Sequence, residues 1–116
     1  MDTPNDIELE PSAVAERLAQ DPGGLALVDV REAYEHEAGH IPDDRHIELT
    51  ALSSQAQTLD PGRPVVFYCR VGSRSAMAAQ AFRASGYEAY SMAGGLLSWA
   101  REGRELVPDG GRVADH

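Results

Sequence analysis

The 116-residue chain contains a single cysteine, Cys69. One cysteine cannot form an internal disulfide, so nothing suggests a disulfide-stapled secreted fold. Long apolar runs are also missing. None approaches the ~18 residues that would suggest a membrane span. Basic residues are scarce: 10 against 19 acidic ones, for a formal net charge of −9 and a pI near 4.7. That balance argues against wholesale binding to nucleic acid or to an anionic membrane, since both favour a basic face. It leaves room for a local positive pocket. The acidic first 14 residues lack the positive and apolar regions of a secretory signal. The cytoplasm is therefore the default location. Internal repeats and low-complexity blocks are absent as well.

What is present is an ordinary globular composition, 42% hydrophobic and 25% charged. The length suggests one domain, residues 1–116, able to bury a core without disulfides or metals. Residues 7–9 form a short strand candidate. Pro11 opens a helix, with Val14 and Leu18 on one face. Residues 25–30 are almost wholly apolar until Asp29 and read as a strand buried on both faces. A short helix over 33–37 follows, then a turn marked by Gly39 and Pro42. Residues 46–49 read as a brief strand, and 50–59 as a helix capped by Thr50. The clearest strand is 64–69, rich in β-branched and aromatic residues. A helix from Ser73 or Arg74 to Ser85 places Ser75, Ala78, Ala79 and Phe82 on one face, with Gly86 as its stop. Residues 87–92 form another strand, and 94–103 a helix ended by Gly103. The tail from Arg104 is expected to be loosely ordered at its end. Alternating strands and helices imply a three-layer α/β fold with a mainly parallel sheet of about five strands. Ligands of such sheets sit at the carboxyl ends of strands, where Cys69 lies.

The loop after Cys69 is Arg70, Val71, Gly72, Ser73, Arg74, Ser75. A loop that curls into a helix N-terminus can point several N–H groups at one anion. Gly72 supplies backbone conformations closed to other residues. Two arginines flank this pocket in an otherwise acidic chain, and such a setting favours a reactive thiolate. The plain alternative is a cysteine that simply ends a buried strand, since free cysteine is among the most buried residue types. The order strand, cysteine, Gly/Ser/Arg loop, helix weighs against it.

Residues 68–103, beginning Tyr-Cys-Arg-Val-Gly-Ser-Arg-Ser, strongly resemble the active-site half of a rhodanese domain. Residues 27–42 resemble that family's first signature, an Asp-Val-Arg strand end followed by Gly-His-Ile-Pro. The resemblance spans about residues 25–103 and implies a rhodanese-like fold and sulfur transfer without a cofactor. It implies that Cys69 attacks the outer sulfur of an anionic donor such as thiosulfate and becomes a persulfide. The backbone of residues 70–75 would cradle that sulfur, and Arg70 and Arg74 would attract the donor. An external thiol, cyanide or protein acceptor would then remove it, because no second cysteine exists. The cysteine-to-arginine spacing, C-x4-R, is the shorter rhodanese spacing rather than the C-x5-R of cysteine phosphatases. A non-catalytic docking module and a phosphatase or arsenate reductase are the alternative readings.

Other residues need weighing. Arg31 would pair structurally with Asp29 or Glu32, and Asp29 and Arg31 would support the pocket. His36 and His40 match H-E-x-x-H, a zinc-protease pattern that needs one continuous helix. Gly39 and Pro42 break that helix, so no metal is expected, and His40 would brace the turn instead. Gly94 and Gly95 would form a tight turn, and Trp99 would pack in the core. Ser73 and Ser75 could donate to an anion, or Ser75 could cap its helix. One departure stands out: where the family usually continues Gly-Ala after Gly-His-Ile-Pro, this chain has Asp43, Asp44 and Arg45. Asp tolerates left-handed turn geometry, so the turn should survive with a more charged surface nearby.

Overall fold

The computed structural model describes residues 7–115. Five strands form one fully parallel sheet: β1 (Glu8–Leu9), β2 (Ala26–Asp29), β3 (Arg45–His46), β4 (Val65–Tyr68) and β5 (Ala89–Met92), in the order β1-β5-β4-β2-β3. The expected α/β architecture is what forms. Helices cover both faces: α1 (Pro11–Gln20) and α5 (Gly95–Arg101) on one, α3 (Leu52–Gln55) and α4 (Ser73–Ala84) on the other, with α2 (Ala33–Ala38) following β2. Two apolar layers result. Val28, Phe67, Cys69 and Phe82 belong to one; Leu27, Val66, Tyr68 and Trp99 to the other. Successive residues of β4 thus face opposite layers, as strand geometry requires. All four are buried, which is why the run reads as continuously apolar.

The α4 face came out as the sequence implied. Ser75, Ala78, Ala79 and Phe82 are buried. The helix ends in a Schellman motif: Gly86 at φ 94° donates to Arg83, and Tyr87 donates back to Phe82. The Tyr87 ring packs edge-on to Phe82, 4.8 Å between centroids, adding the apolar contact that accompanies such caps.

Three local expectations need correction. Residues 49–58 are not one helix capped by Thr50. They split into a 3₁₀ turn (Leu49–Ala51), the single turn α3, and a second 3₁₀ turn (Ala56–Thr58). The hydroxyls of Ser54 and Thr58 bond to the carbonyls three residues back, an alternative to the helical ladder. The strand expected over 46–49 is β3, one residue earlier and only two long; Ile47 and Leu49 still donate to the carbonyls of Asp29 and Val30 at the end of β2.

The third correction concerns the tail, which is docked rather than loose. His40 and Val107 exchange both backbone hydrogen bonds, Arg112 N–H donates to Ala38, the Trp99 indole donates to Glu105, and Ala114 is buried. Among the described residues, no helix is long and apolar enough to cross a membrane.

Gly39 is where the tail crosses α2 most closely. Its φ of 172° is ordinary extended backbone, so the demand for glycine is purely steric: a Cβ there would lie 2.4 Å from the Arg112 carbonyl oxygen. Gly39→Ala should therefore lift the tail and cost about 1–3 kcal/mol, the usual range for forced overpacking. Urea unfolding and limited proteolysis check this. An unchanged midpoint with an equally protected tail would contradict it.

Candidate active site

Strand β4 ends at Tyr68, one residue short of the expected end, so Cys69 is the first residue of the loop. It is fully buried and belongs to the core layer under α4. Burial, the plain alternative posed by the sequence, is thus observed, and it leaves the thiol facing the loop. The loop folds back over the sulfur, and Gly72 N–H donates to Cys69 Sγ at 3.0 Å. Gly72 sits at φ 109° and begins α4 without any side-chain cap. That left-handed conformation is one that side chains resist. The N–H groups of Arg70, Val71, Ser73, Arg74 and Ser75 take no partner among the described residues. They belong to the loop and first turn at the positive end of α4.

Ser75 lies beneath the sulfur. Its Oγ is 3.5 Å from Sγ, 2.8 Å from Ser91 Oγ, and donates to the Gly72 carbonyl at 3.2 Å. It is not a helix cap. Both serines are fully buried. Ser91 was not singled out from sequence, although a serine inside the apolar run of β5 was the available signal.

The loop's carbonyls point away from the sulfur because α5 holds them. Leu96 N–H donates to Cys69 O at 2.8 Å, and Leu97 N–H to Arg70 O at 3.0 Å. Gly94 and Gly95 make the approach possible, at φ 71° and 62°. A Cβ on Gly95 would lie 2.4 Å from Arg70 O. The double glycine is thus a tight turn, but one whose helix end orients the cysteine loop.

The two loop arginines are not equivalent. Arg74 makes a two-pronged bond to Glu35, at 2.9 and 3.0 Å. Glu35 is fully buried and also closes a capping box with Glu32 at the start of α2. Desolvation works to raise the Glu35 pKa, but the Arg74 bond and the Glu32 N–H outweigh it, and the carboxyl is held below its usual range. Arg70 is less committed. It is partly exposed, its Nε is buried with no partner, and its one ion pair, to the fully exposed Asp115, is 3.7 Å long.

Behind the loop, Asp29 and Arg31 form a fully buried pair, with Nε to Oδ1 at 2.8 Å and Nη2 to Oδ2 at 2.7 Å. Arg31 chooses Asp29 over Glu32, and Nη2 also donates to the Gly39 carbonyl. Burial pushes Asp29 upward, yet the arginine bond prevails and its pKa is lowered. His40 braces the turn as expected, its Nδ1 lying 3.2 Å from Ile41 O and 3.1 Å from Asp44 Oδ1. Asp43 adopts the left-handed conformation, φ 65°, which the Asp-for-Gly departure demanded. The roomier surface grooves, one between α3 and α4 beside Met77 and one beside Pro22 and Arg63, do not include Cys69.

Comparison with known proteins gives a consistent picture. The family model "Rhodanese-like domain" matches residues 10–102. A protein of Allochromatium vinosum named "Sulfurtransferase" is 33% identical over 105 residues, covering 89% of this chain and 97% of that one. A Bacillus subtilis protein also named for sulfurtransferase activity is 33% identical over 95 residues, covering 82% and 91%. The crystal structure of a rhodanese-related protein from Thermoplasma volcanium superposes with a TM-score of 0.79 at 25% identity, covering 86% of this chain and 96% of that one.

The depressed pKa values of Asp29 and Glu35 set an acid limit on the site. A carboxyl whose folded pKa is lowered contributes stability that is complete above its unfolded value, about pH 4, and is lost as pH falls through the lower folded value. Unfolding free energy should therefore drop below about pH 4, and Glu35→Gln should flatten that drop while lowering stability at neutral pH. Chemical denaturation between acid and neutral pH checks both. An equal acid slope in the variant would contradict the assignment.

Proposed function

The chain belongs to the rhodanese-like domain family, and on that premise we propose that it is a sulfurtransferase in which Cys69 carries sulfane sulfur as a persulfide. The observation that carries the reading is the Gly72 N–H donating to Cys69 Sγ at the start of α4, beside five loop N–H groups that take no partner among the described residues. In the reaction, the Cys69 thiolate attacks the outer sulfur of thiosulfate. The new S–S bond forms as the bond to the sulfite sulfur breaks, and sulfite leaves with the electron pair. The persulfide's outer sulfur then occupies the space the N–H groups surround. An external thiophile, either a thiol or cyanide, attacks that sulfur and restores the thiolate. The full burial of Cys69 means that the loop must move for a donor to arrive. Val71, half-exposed at the loop's crest, is the residue best placed to swing.

Backbone N–H groups suit this task because they stabilise charge on sulfur without a proton to lose. Arg70 is the residue we assign to donor attraction, since its guanidinium is not locked by a buried carboxylate. Arg74 holds the loop through Glu35. The docking-module alternative lacks its usual sign, a missing cysteine.

Incubation of the reduced protein with thiosulfate, followed by intact-mass measurement, should show a gain of one sulfur atom. The gain should vanish on adding cyanide and be absent in Cys69→Ala. A persulfide that still forms in that variant, or none from any sulfane donor in the native chain, would sink the reading. Separately, Arg70→Ala should raise KM for thiosulfate severalfold and leave kcat nearly unchanged, as loss of uniform binding does. Steady-state kinetics read this. A fall in kcat at constant KM would instead assign Arg70 to the chemical step.

A further inference from the structure

Near Asp44, which is bonded by Tyr68 of the layer opposite Cys69, three imidazoles stack in one column. The His36 ring lies 3.8 Å from that of His40 and 4.5 Å from that of His46, tilted by 15° and 16°. The Asp44 carboxylate closes one side of the column. His40 Nδ1 is 3.1 Å from its Oδ1, and His36 Nδ1 is 3.8 Å from its Oδ2. We propose that His36, His40 and Asp44 form a binding site for a divalent transition cation of the zinc class.

Three observations support it. The first is chemical: two imidazole nitrogens and one carboxylate oxygen are a zinc-type donor set, and one such atom from each residue lies within 4.8 Å of the others. Donors on one tetrahedral zinc stand about 3.3 Å apart, given bonds of ~2.0 Å. The His40–Asp44 spacing already matches, and modest ring rotation closes the His36 side. The present partners of both Nδ1 atoms are acceptors, so binding would move those protons to Nε2 and exchange the His36–Asp29 bond for the ion.

The second is electrostatic. The Asp44 side chain is 1% exposed, and no arginine bonds to it. Arg31, the cation nearest in the chain of contacts, is spent on Asp29. Of the two buried carboxylates, Asp29 has the guanidinium and also accepts from His36 at 2.9 Å, while Asp44 has no arginine among the described residues. A bound cation supplies the missing charge.

The third is support around the donors. Tyr68 OH donates to Asp44 Oδ2 and accepts from Ile41 N–H, fixing the carboxylate's orientation. His46 lies flat against His36 and is itself anchored to the Arg31 carbonyl at 2.7 Å. Outer contacts of this kind are what hold ligands in place at metal sites. The helix break at Gly39, which argues against a zinc-protease helix, is what folds His40 beside His36. Asp44 then supplies the third donor, which the sequence pattern did not contain.

The test is titration of the reduced, full-length Cys69→Ser protein with cobalt(II) and with zinc at neutral pH, so that no thiol competes. One equivalent should bind, giving visible cobalt absorption, and zinc should raise the melting temperature. His36→Gln and Asp44→Asn should each weaken affinity by more than about tenfold, whereas His116→Ala should not. His36→Gln alters a partly exposed ring, so it decides the matter should Asp44→Asn fail to fold. Absence of stoichiometric binding, binding undiminished in both variants, or binding lost with His116 would each overturn the proposal. None of the outcomes depends on sulfur transfer.

Discussion

The buried pair between Asp29 and Arg31 is the joint on which the rest of this structure hangs. Neither side chain is exposed at all. Such a pair is poor evidence of stability, because desolvating both charges cancels most of their attraction. Removing one partner, however, strands the other in the core and costs about 3–5 kcal/mol. The pair therefore acts as a positional constraint. Arg31 uses one fork on Asp29 at the end of β2 and shares Nη2 with the Gly39 carbonyl after α2. That fixes α2 to the sheet, and α2 presents Glu35 to Arg74 at the start of α4. A strand end on one side of the sheet and the cysteine loop on the other are thus tied by two arginine forks. All ten basic residues of the chain are arginine. Lysine, a point charge on a flexible stem, could not hold two acceptors in a fixed plane.

A second constraint acts at right angles to the first. Peptide groups have two ends, and the loop can aim its N–H groups at sulfur only if its carbonyls find partners elsewhere. Helix α5 supplies them through Leu96 and Leu97, whose N–H groups are orphaned at a helix start in any case. The Gly94–Gly95 turn lets that start press against the loop. The same two hydrogen bonds satisfy the helix and orient the cradle. In a chain of net charge −9, the proposed anion binding would rest on backbone dipoles, which no surface acidic residue can neutralise by pairing.

How much of this was legible depended on whether the signal was local. The sheet strands were plain because β4 and β2 are buried on both faces and contain almost nothing polar before Asp29. The cysteine loop was legible because its residue types, Gly72 above all, are demanded by its own backbone. Residues 49–58 misled because Ser54 and Thr58 have hydroxyls that compete with the helical ladder, a choice settled by packing rather than by pattern. The tail misled because glycine and proline suit a loose end and a strap equally, and the contact that orders it, Arg112 on Gly39, is 73 positions long-range in character and leaves no periodic trace. Glu35 and Ser91 were missed for a similar reason. Each is a polar residue whose partner, Arg74 or Ser75, lies on another element.

The Glu35–Arg74 fork also bears on which anion the loop can serve. A transferring phosphoryl group carries charge on three oxygens and calls for a free guanidinium to bind them in pairs. Here the arginine that ends the C-x4-R loop already has its fork filled by a buried carboxylate, at 2.9 and 3.0 Å. Turning it toward a phosphate would break both bonds and leave Glu35 buried and unpaired. The single sulfane sulfur of the proposed reaction would make no such demand, being one atom with one charge beside backbone N–H groups. The loop's short length and its occupied arginine are therefore the same choice seen twice. The side chain that could have reached a larger anion is committed to Glu35.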